Sequence, residues 1–363
     1  MKKIDISSLP KTIDTGLWDA GHIQGIAFDT DMRYVYYSYT TVLVKADLDG
    51  NIIGYVGGLT GHLGCIDFND DDGKLYGTIE YKHDAIGQGI MNSTGIALPD
   101  EDAFYVAIFD VDKINRLNMD AEKDGIMKTV YLPDVIDDYS AVVGDNKHRF
   151  GCSGIDGIGF GPVFGYPKNS PSMLMVAYGI YGDNSRIDND YQVYLCFDWR
   201  KFDEFARPLV QNEHHHSGTF AESRYFLFTG NTVWGTQNLE YDAYTGDWIV
   251  TVYCGKKPQY PNRPMYMIDG STPSERQVLR GVEPRTKENV IFLKKKGIYD
   301  ESNEIYAWDF PYGQTGIYSI GNGYFYFSED KSMPLDGGVK RIYTSTLKLY
   351  RYTGILPYGF EPA

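Results

Sequence analysis

Short segments rich in apolar and β-branched residues alternate with polar turns along most of the chain, and one two-part unit recurs. In its clearest copy, residues 21–29 hold a polar entry, an apolar run and an acidic turn, and a β-rich run at 34–40 follows. Similar pairs lie at 61–69 and 74–80, at 236–242 and 248–253, at 312–319 and 324–328, and, more loosely, at 155–160 and 173–178. This repetition predicts an all-β fold, a β-propeller in which each repeat is one small antiparallel sheet.

The repeats favour five blades. The first blade is compact, with strands expected at 24–28, 34–39, 42–47 and 52–56. The second runs from 62 to about 132 with strands near 104–110 and 127–131, and the third includes 191–198, with a strand-like segment at 224–229 that the pattern does not place. Strands at 237–241, 248–253, 265–269 and 276–279 make the fourth, and 316–320, 324–328 and 346–352 make the fifth.

The fifth blade is one strand short, so the alternating run at residues 3–6 is expected to supply its last strand and close the ring. Six or seven blades are the alternatives, because the long repeats have room for further strands and residues 93–98 could begin an extra blade.

The whole chain of 363 residues is interpreted as a single propeller domain, 1–363, with insertions near 83–103, 134–150 and 281–305. Its 31 tyrosines, 18 phenylalanines and 40 glycines suit strands and tight turns. No long stretch has apolar residues at helical spacing, which predicts few helices. The four cysteines lie far apart without metal-like spacing, so free thiols in a reducing compartment are expected.

The net charge of −15 argues against nucleic acid or an anionic membrane surface as a partner. Residues 1–10 lack the apolar segment of a signal peptide, and no apolar run is long enough to span a bilayer. A cytoplasmic protein is therefore expected, with an exported protein whose signal peptide is missing from this sequence as the alternative.

Candidate site residues follow from the geometry of a blade. Since its first two strands are antiparallel, the start of the first and the end of the second lie on one face of the disc, and the first strands line the axis. The starts of the first strands bring together His22, Gln24, His62, Gln237 and Gln314. The ends of the second strands add Tyr39, Glu80, Lys82, His83, Lys256, Lys257 and Lys331, and His216 is a further candidate.

These residues predict a basic funnel with many hydrogen-bonding groups on one face of an acidic disc, which favours an anionic ligand. Aromatic side chains in the same loops, such as Trp234, offer a flat surface for a sugar ring. Each residue type also has an ordinary structural role, as a strand-entry cap, a buried histidine or a solvated lysine. Three consecutive histidines at 214–216 point in divergent directions, so no metal site is expected there, and no cofactor is expected.

With these repeats in place, the chain resembles the bacterial β-propeller proteins that include propeller glycoside hydrolases and polysaccharide lyases. The resemblance lies in the architecture and in the histidine-bearing strand entries at 22–25 and 62–64. It implies a role in the chemistry for a histidine at the funnel, and His22 and His62 are the positions that match.

The leading hypothesis is an enzyme that cleaves a glycosidic bond in an anionic, uronate-containing saccharide by hydrolysis or β-elimination. His22, His62 or His83 would transfer protons, and Lys82, Lys256 or Lys257 would bind the carboxylate. One alternative is a non-catalytic propeller that binds a ligand or a protein. Another is a metal-dependent phosphoester or lactone hydrolase.

Overall fold

The computed structural model describes residues 4–335 and 340–363. Five sheets stand around a central axis and form a five-bladed β-propeller, which confirms the predicted fold and the favoured blade count. The innermost strand of each blade contacts the innermost strands of the blades on both sides, so the ring is closed. These inner strands are Ile23–Phe28, His62–Asn69, Cys152–Gly161, Thr232–Asp242 and Ile317–Gly321.

The remaining strands follow outwards from the axis. Blade 1 continues with Tyr34–Tyr39, Val42–Asp47, Ile52–Gly57 and the short Met119–Asp120. Blade 2 continues with Lys74–Tyr81, Ala103–Phe109, Met127–Tyr131 and Arg207–Pro208. Blade 3 continues with Met173–Ile180, Tyr191–Phe197 and Ser223–Phe228, blade 4 with Asp247–Cys254 and Met265–Ile268, and blade 5 with Tyr324–Leu335 and Lys340–Tyr352.

An N-terminal strand closes blade 5, but it lies further along the chain than residues 3–6. Thr12–Asp14 pairs antiparallel with residues 346–348, and Ile13 is 1% exposed in the resulting core. The earlier segment instead forms a 3-10 helix at Ile6–Ser8, because the Asp5 carboxylate accepts from the backbone N–H of Ser7 and caps it. Residue 3 lies outside the described residues. A second short strand, Phe360–Pro362, pairs with residues 350–352.

The assignment of residues 276–279 to blade 4 is wrong. Glu275–Val278 pairs with Lys287–Ile291, and this second strand adds parallel to Ser223–Phe228 at the outer edge of blade 3. Segment 224–229 is therefore the fourth strand of blade 3. The outer positions of blade 4 are filled by isolated bridges from Trp308 to Met265 and from Leu293 to Ile268, beside the small hairpin Ile298–Asp300 and Ile305–Ala307.

Three α-helices lie outside the blades: α1 (Ala85–Thr94), α2 (Pro133–Ser140) and α3 (Phe202–Phe205). Residues 93–98, the alternative start of an extra blade, contain the end of α1 and a loop instead. Short 3-10 helices lie at Val111–Lys113, Arg149–Gly151 and Trp199–Lys201, and a small ribbon joins Val142–Val143 to Asn146–Lys147. Within the described ranges, no helix has the length and apolar character needed to cross a membrane.

Close backbone contact holds the inner strands together. A Cβ atom at Gly25 would lie 2.8–2.9 Å from the backbone of the next inner strand, and one at Gly159 would lie 2.4 Å from the carbonyl oxygen of Leu239. Glycine is therefore required where neighbouring inner strands meet. Hydroxyl groups on the second strands of blades 1, 2 and 4 bond to the next inner strand: Ser38 donates to the carbonyl of Gly64, Thr78 to that of Asp156 and Thr251 to that of Gly313, all at 2.7–2.8 Å.

Asn238 fills the middle of the propeller axis. Its Nδ2 donates to the carbonyl oxygens of Gln24 in blade 1 and Gln314 in blade 5, at 2.8 and 3.1 Å. Its Oδ1 accepts from the Cys65 thiol in blade 2 at 3.3 Å. One buried side chain from blade 4 therefore joins three other blades across the axis.

All four cysteines are free thiols; Cys65, Cys152 and Cys196 are buried and Cys254 is exposed.

Candidate functional site

A cavity of about 410 Å³ lies at one end of the propeller axis, and it is called the axial pocket below. Side chains from blades 1 to 4 line it. Six of the predicted residues are among them: His22, Gln24, His62, Glu80, Lys82 and Gln237. The pocket therefore combines residues from the inner strands of blades 1, 2 and 4 with the end of the second strand of blade 2.

Tyr39 and Gln314 do not line the axial pocket. Tyr39 is fully buried, because its ring packs against Trp18 and its hydroxyl lies 2.8 Å from the Thr15 hydroxyl beside the closing strand. Gln314 contributes its backbone carbonyl to the axial hydrogen bonds of Asn238. Both residues therefore help to hold the blades together, although the sequence predicted that they would contact a ligand.

Three of the four predicted lysines also lie elsewhere. The Lys257 ammonium is buried and bonded to the Asp190 carboxylate at 2.5 Å and to the Asn189 side chain at 2.8 Å. Lys256 and Lys331 are exposed and outside the pocket lining. Only Lys82 of this set reaches the pocket, so the described lining does not form the basic funnel that the sequence predicted.

His83 and His216 belong to a surface cluster at the edge of blade 2. The Nδ1 atom of His83 lies 2.9 Å from the Asp102 carboxylate, so its partner is not the adjacent Asp84. The Nε2 atom of His216 lies 2.8 Å from the Glu101 carboxylate, and its ring packs against Tyr131. Neither side chain enters the axial pocket, so the proton-transfer role expected of His83 has no support from its position.

His22 is a neutral base at the pocket wall. Its Nδ1 lies 2.8 Å from the carbonyl oxygen of Ile23, and a carbonyl can only accept, so Nδ1 carries the hydrogen. Burial lowers the pKa of the ring, and the bond to Ile23 offsets only part of that effect. The Nε2 atom is then an acceptor, and it lies 3.4 Å from the Gln24 amide nitrogen.

Glu80 and Lys82 form a buried ion pair beneath His62. The Lys82 ammonium lies 2.6 Å from the Glu80 carboxylate and 3.4 Å from that of Asp84, and it donates to the Ser153 carbonyl at 2.6 Å. Burial opposes the charges, but the attraction between them outweighs it, so the pKa of Glu80 is lowered and that of Lys82 is raised.

Glu80 also contacts the catalytic candidates around it. The second oxygen of its carboxylate accepts from the backbone N–H of Ile155 at 3.0 Å, and the first lies 3.4 Å from the His62 Nδ1 atom. A charged carboxylate therefore lies beside the His62 ring and next to the strand that carries Asp156, while the His62 Nδ1 atom is buried without a hydrogen-bond partner.

Asp156 is the residue that sequence analysis missed. It lines the axial pocket, is 8% exposed, and its Oδ1 atom is buried without a hydrogen-bond partner. Burial raises the pKa of its carboxyl group to about 7, while the nearby His62 acts in the opposite direction. A visible signal was its repeat position, since the segment 155–160 aligns with 23–28 and 236–241 and places Asp156 where those repeats have Gln24 and Gln237.

Trp234 and Tyr253 supply an aromatic wall from blade 4. Trp234 has a φ of +65°, a left-handed conformation that a tryptophan rarely adopts. Backbone strain of this kind concentrates at functional sites. The sequence predicts Trp234 as a stacking surface, but it does not reveal the left-handed backbone conformation at this residue.

A second group of carboxyls occupies the opposite end of the axis. Asp67 and Glu240 both border a separate cavity of about 560 Å³. Burial raises the pKa of Asp67 to about 7 and raises that of Glu240 well above its ordinary value, with Asp67 adding to the effect on Glu240. These two carboxyls therefore keep a proton to higher pH than a free carboxyl group does, and they lie away from the axial pocket.

Among the described residues, no group of three or more His, Cys, Asp or Glu side chains is arranged to hold a metal ion.

No protein-family model matches the chain, and no curated protein matches its sequence. Among solved structures, the chain is similar to the β-propeller domain of Myceliophteria thermophila Cps50 (Swd1). The two share 9% identity over 89% of this chain and 83% of that chain, with a TM-score of 0.29. A likeness of this size says nothing about activity, so the function has to be argued from the axial pocket.

Proposed function

We propose that this protein is a carbohydrate-active enzyme that hydrolyses a glycosidic bond in a uronate-containing saccharide at the axial pocket. The observation that carries the proposal is Asp156, a carboxyl group with an unpartnered oxygen in a cavity of ligand size. With a pKa of about 7, it keeps its proton close to neutral pH and can donate it to a leaving oxygen.

His62 is assigned as the general base, because the Glu80 carboxylate 3.4 Å from its Nδ1 atom favours the protonated ring that forms when His62 takes a proton. In the proposed step His62 takes a proton from water, the water oxygen bonds to the anomeric carbon, and the glycosidic C–O bond breaks. Asp156 gives its proton to the departing oxygen, so one water is consumed and the two product hydroxyls balance the reaction. Gln24 and Gln237 are amides that can bind sugar hydroxyls, and Trp234 can stack on the ring.

Hydrolysis fits this pocket better than β-elimination. Elimination needs a cation or strong donor to neutralise the uronate carboxylate beside the reacting carbon. Lys82 is the lysine in the lining, and its three N–H groups already face the Glu80 and Asp84 carboxylates and the Ser153 carbonyl. The sugar unit at the cleavage point is therefore proposed to be neutral, with the uronate carried elsewhere in the substrate.

The test is turnover of a panel of neutral and uronate-containing oligosaccharides by wild type, Asp156→Asn and His62→Ala. Each substitution is expected to lower kcat by about 10²–10⁴-fold, the usual contribution of one acid or base. Reducing-end formation measures hydrolysis, and the ultraviolet absorbance of an unsaturated uronate reports elimination. Asp110→Asn, at a partly exposed ion pair on blade 2, is the matched control and should retain full activity.

The pH profile separates a catalytic Asp156 from a structural one. Because the acid must be protonated, wild-type kcat should fall as pH rises through about 7, and any residual activity of Asp156→Asn should lack this decline. Thermal melting of each variant shows whether it is folded. Near-normal turnover in folded Asp156→Asn would refute the assignment, and wild type that binds the panel without turnover would indicate a non-catalytic propeller.

A further inference from the structure

We propose that the substrate is an oligosaccharide that extends from the axial pocket across Tyr181 into a second cavity, where Lys147 contacts a uronate unit. This inference rests on the proposed function and adds the length and the direction of the substrate. The second cavity measures about 550 Å³ and is bounded by Lys147, His148, Tyr181, Asp183 and Arg186. It lies within the ordinary size range of ligand sites, as the axial pocket does.

The two cavities are neighbours along the same strands. Gly179 lines the axial pocket and Gly182, three residues later, lines the second cavity. A Cβ atom at Gly182 would lie 2.9 Å from the Val233 side chain, which is part of the axial pocket lining. A ligand that fills one cavity therefore has the other directly beside it.

A row of aromatic rings leads from one cavity to the other. The Trp234 ring in the axial pocket lies 5.8 Å from the Tyr181 ring, and the Tyr181 ring lies 5.1 Å from His148. The Tyr181 hydroxyl donates to the Asp84 carboxylate at 3.2 Å, so the ring between the cavities is held in place by the group that also contacts Lys82. The neighbouring rings are inclined to each other by 62° and 54°, so they form a continuous aromatic ridge between the cavities, which a sugar chain would cross at Tyr181.

Strained backbone marks both ends of this row. Trp234 has a φ of +65° and His148 a φ of +63°, conformations that residues of this size rarely adopt. The His148 loop is held by Arg186, whose guanidinium donates to the His148 carbonyl at 2.7 Å. Residues kept in such conformations on both sides of Tyr181 are expected where a ligand is bound, since the surrounding contacts must maintain them.

The distribution of charge in the second cavity determines where it can bind a carboxylate. The Arg186 guanidinium is engaged by Asp188 at 2.8 Å, whereas the Lys147 side chain is exposed at the rim. Asp145 and Asp183 add negative charge to the same lining, so a free carboxylate is attracted at the Lys147 side only. A uronate several units away from the cleaved bond meets this lysine, while the neutral unit occupies the axial pocket.

The experiment measures affinity by calorimetry on the Asp156→Asn background, where turnover is slowed. The probes are size-fractionated hyaluronan oligosaccharides, in which uronate and neutral units alternate, and neutral cello-oligosaccharides. Longer hyaluronan oligosaccharides should bind more tightly than the disaccharide. Lys147→Glu should weaken the longer ones by about fivefold and leave the disaccharide unchanged, the scale of an exposed charge pair. His148→Asn, whose side chain tolerates the left-handed backbone, should weaken long probes of both series.

Lys128→Glu is the matched control, because Lys128 is an exposed lysine on the outer strand of blade 2. Affinity that does not depend on chain length, or equal losses in Lys147→Glu and Lys128→Glu, would overturn the extended site and leave the proposed hydrolysis standing. Length-dependent affinity without wild-type turnover would have the opposite meaning, with the extended site kept and the hydrolysis refuted. Failure of every probe to bind any variant would overturn both.

Discussion

At the level of single residues, burial sets the proton affinity of the carboxyl groups at both ends of the axis. Glu80 stays ionised because Lys82 and His62 lie against it, whereas for Asp156 the cost of burial exceeds the attraction of the same two groups, so its pKa is raised. Asp67 and Glu240 form the corresponding pair at the far end. The same residue types thus differ in protonation because of their neighbours, which a sequence does not display.

Replacing Glu240 with glutamine should stabilise the fold above neutral pH. The folded-state pKa of Glu240 is raised, so the native state holds a proton that the unfolded chain releases above about pH 4, and wild-type stability falls as pH rises from there. Glutamine removes this penalty and keeps an oxygen for the Ser319 N–H, which Glu240 now accepts at 2.7 Å.

The gain should increase as pH rises above about 4 and should vanish below that pH, where both states of wild type are protonated. Urea unfolding at several pH values measures it. Glu329→Gln, at a carboxylate held by the Tyr350 hydroxyl and Lys348, is the control on blade 5. If the difference in the free energy of unfolding between Glu240→Gln and wild type did not change with pH, protonation of Glu240 would not be linked to stability.

The predicted positions of single residues agree with the structure where the start or the end of a strand was enough to locate the side chain. His22, Gln24 and His62 were placed from the repeat alone, and they do lie together. Lys257 lies outside the pocket because its partner Asp190 comes from a distant part of the chain. Asp156 has a repeat position that was visible in the sequence, but its buried and unpartnered oxygen is a property of the folded ring. Partners of this kind are fixed by the folded ring and leave no local pattern.

At the level of elements, Arg224 joins three parts of the chain at the outer edge of blade 3. Its guanidinium lies 2.9 Å from the Asp138 carboxylate on α2 and 2.6 Å from the Glu288 carboxylate on the added strand Lys287–Ile291. Asp138 is nearly fully buried, and Arg149 is its other cation, at 2.9 Å. This connection explains why the strand at 287–291 belongs to blade 3.

Arg224→Met should lower the free energy of unfolding by about 3 kcal/mol, since it leaves two carboxylates without a principal partner, one of them buried. Chemical denaturation measures the change. Arg276→Met, which removes an exposed arginine 3.5 Å from the same Glu288, should cost less than about 1 kcal/mol. Equal effects of the two substitutions would show that the bridge to α2 contributes little.

Element prediction succeeded for strands whose partners come next in the chain, such as the hairpins of blade 1. It failed for 276–279, because that strand pairs with a charged segment, Lys287–Ile291, which itself docks on Ser223–Phe228. The charged stretch 281–305 was compatible with an insertion or an outer strand, but polar residues such as Lys287 and Glu288 did not show which blade that strand would join. Helix α2 was hidden for a similar reason, since four of its eight residues are polar acids or serine.

At the level of the whole molecule, the ring depends on one short strand. Thr12–Asp14 completes blade 5, and Tyr39 and Thr15 bond beside it, so this strand also connects blade 5 to blade 1. The number of blades and this mode of closure were predictable from the repeats. The exact closing segment was not predictable from the sequence. The alternating pattern at 3–6 indicated a strand, whereas Asp5 caps a 3-10 helix at Ile6–Ser8.

Ile13→Asp should destabilise the whole propeller by more than about 3 kcal/mol, because it places an unpaired charge in the closing core. Ile52→Asp is the control, since Ile52 is 39% exposed on the outer strand of blade 1 and should change stability by less than about 1 kcal/mol. Thermal unfolding followed by both circular dichroism and tryptophan fluorescence measures the two. A melting temperature of Ile13→Asp within the control's range would argue against closure as a determinant of stability.

The pairing of Thr12 with Lys348 also has a consequence for biosynthesis. Blades 1 to 4 can assemble while the ribosome is still translating, but the seam cannot form until residue 348 has left the exit tunnel. Until that moment residues 12–14 remain unpaired, and Trp18 and Tyr39 beside them remain accessible to chaperones. Nascent-chain arrest before and after this point should therefore give chains of very different protease resistance.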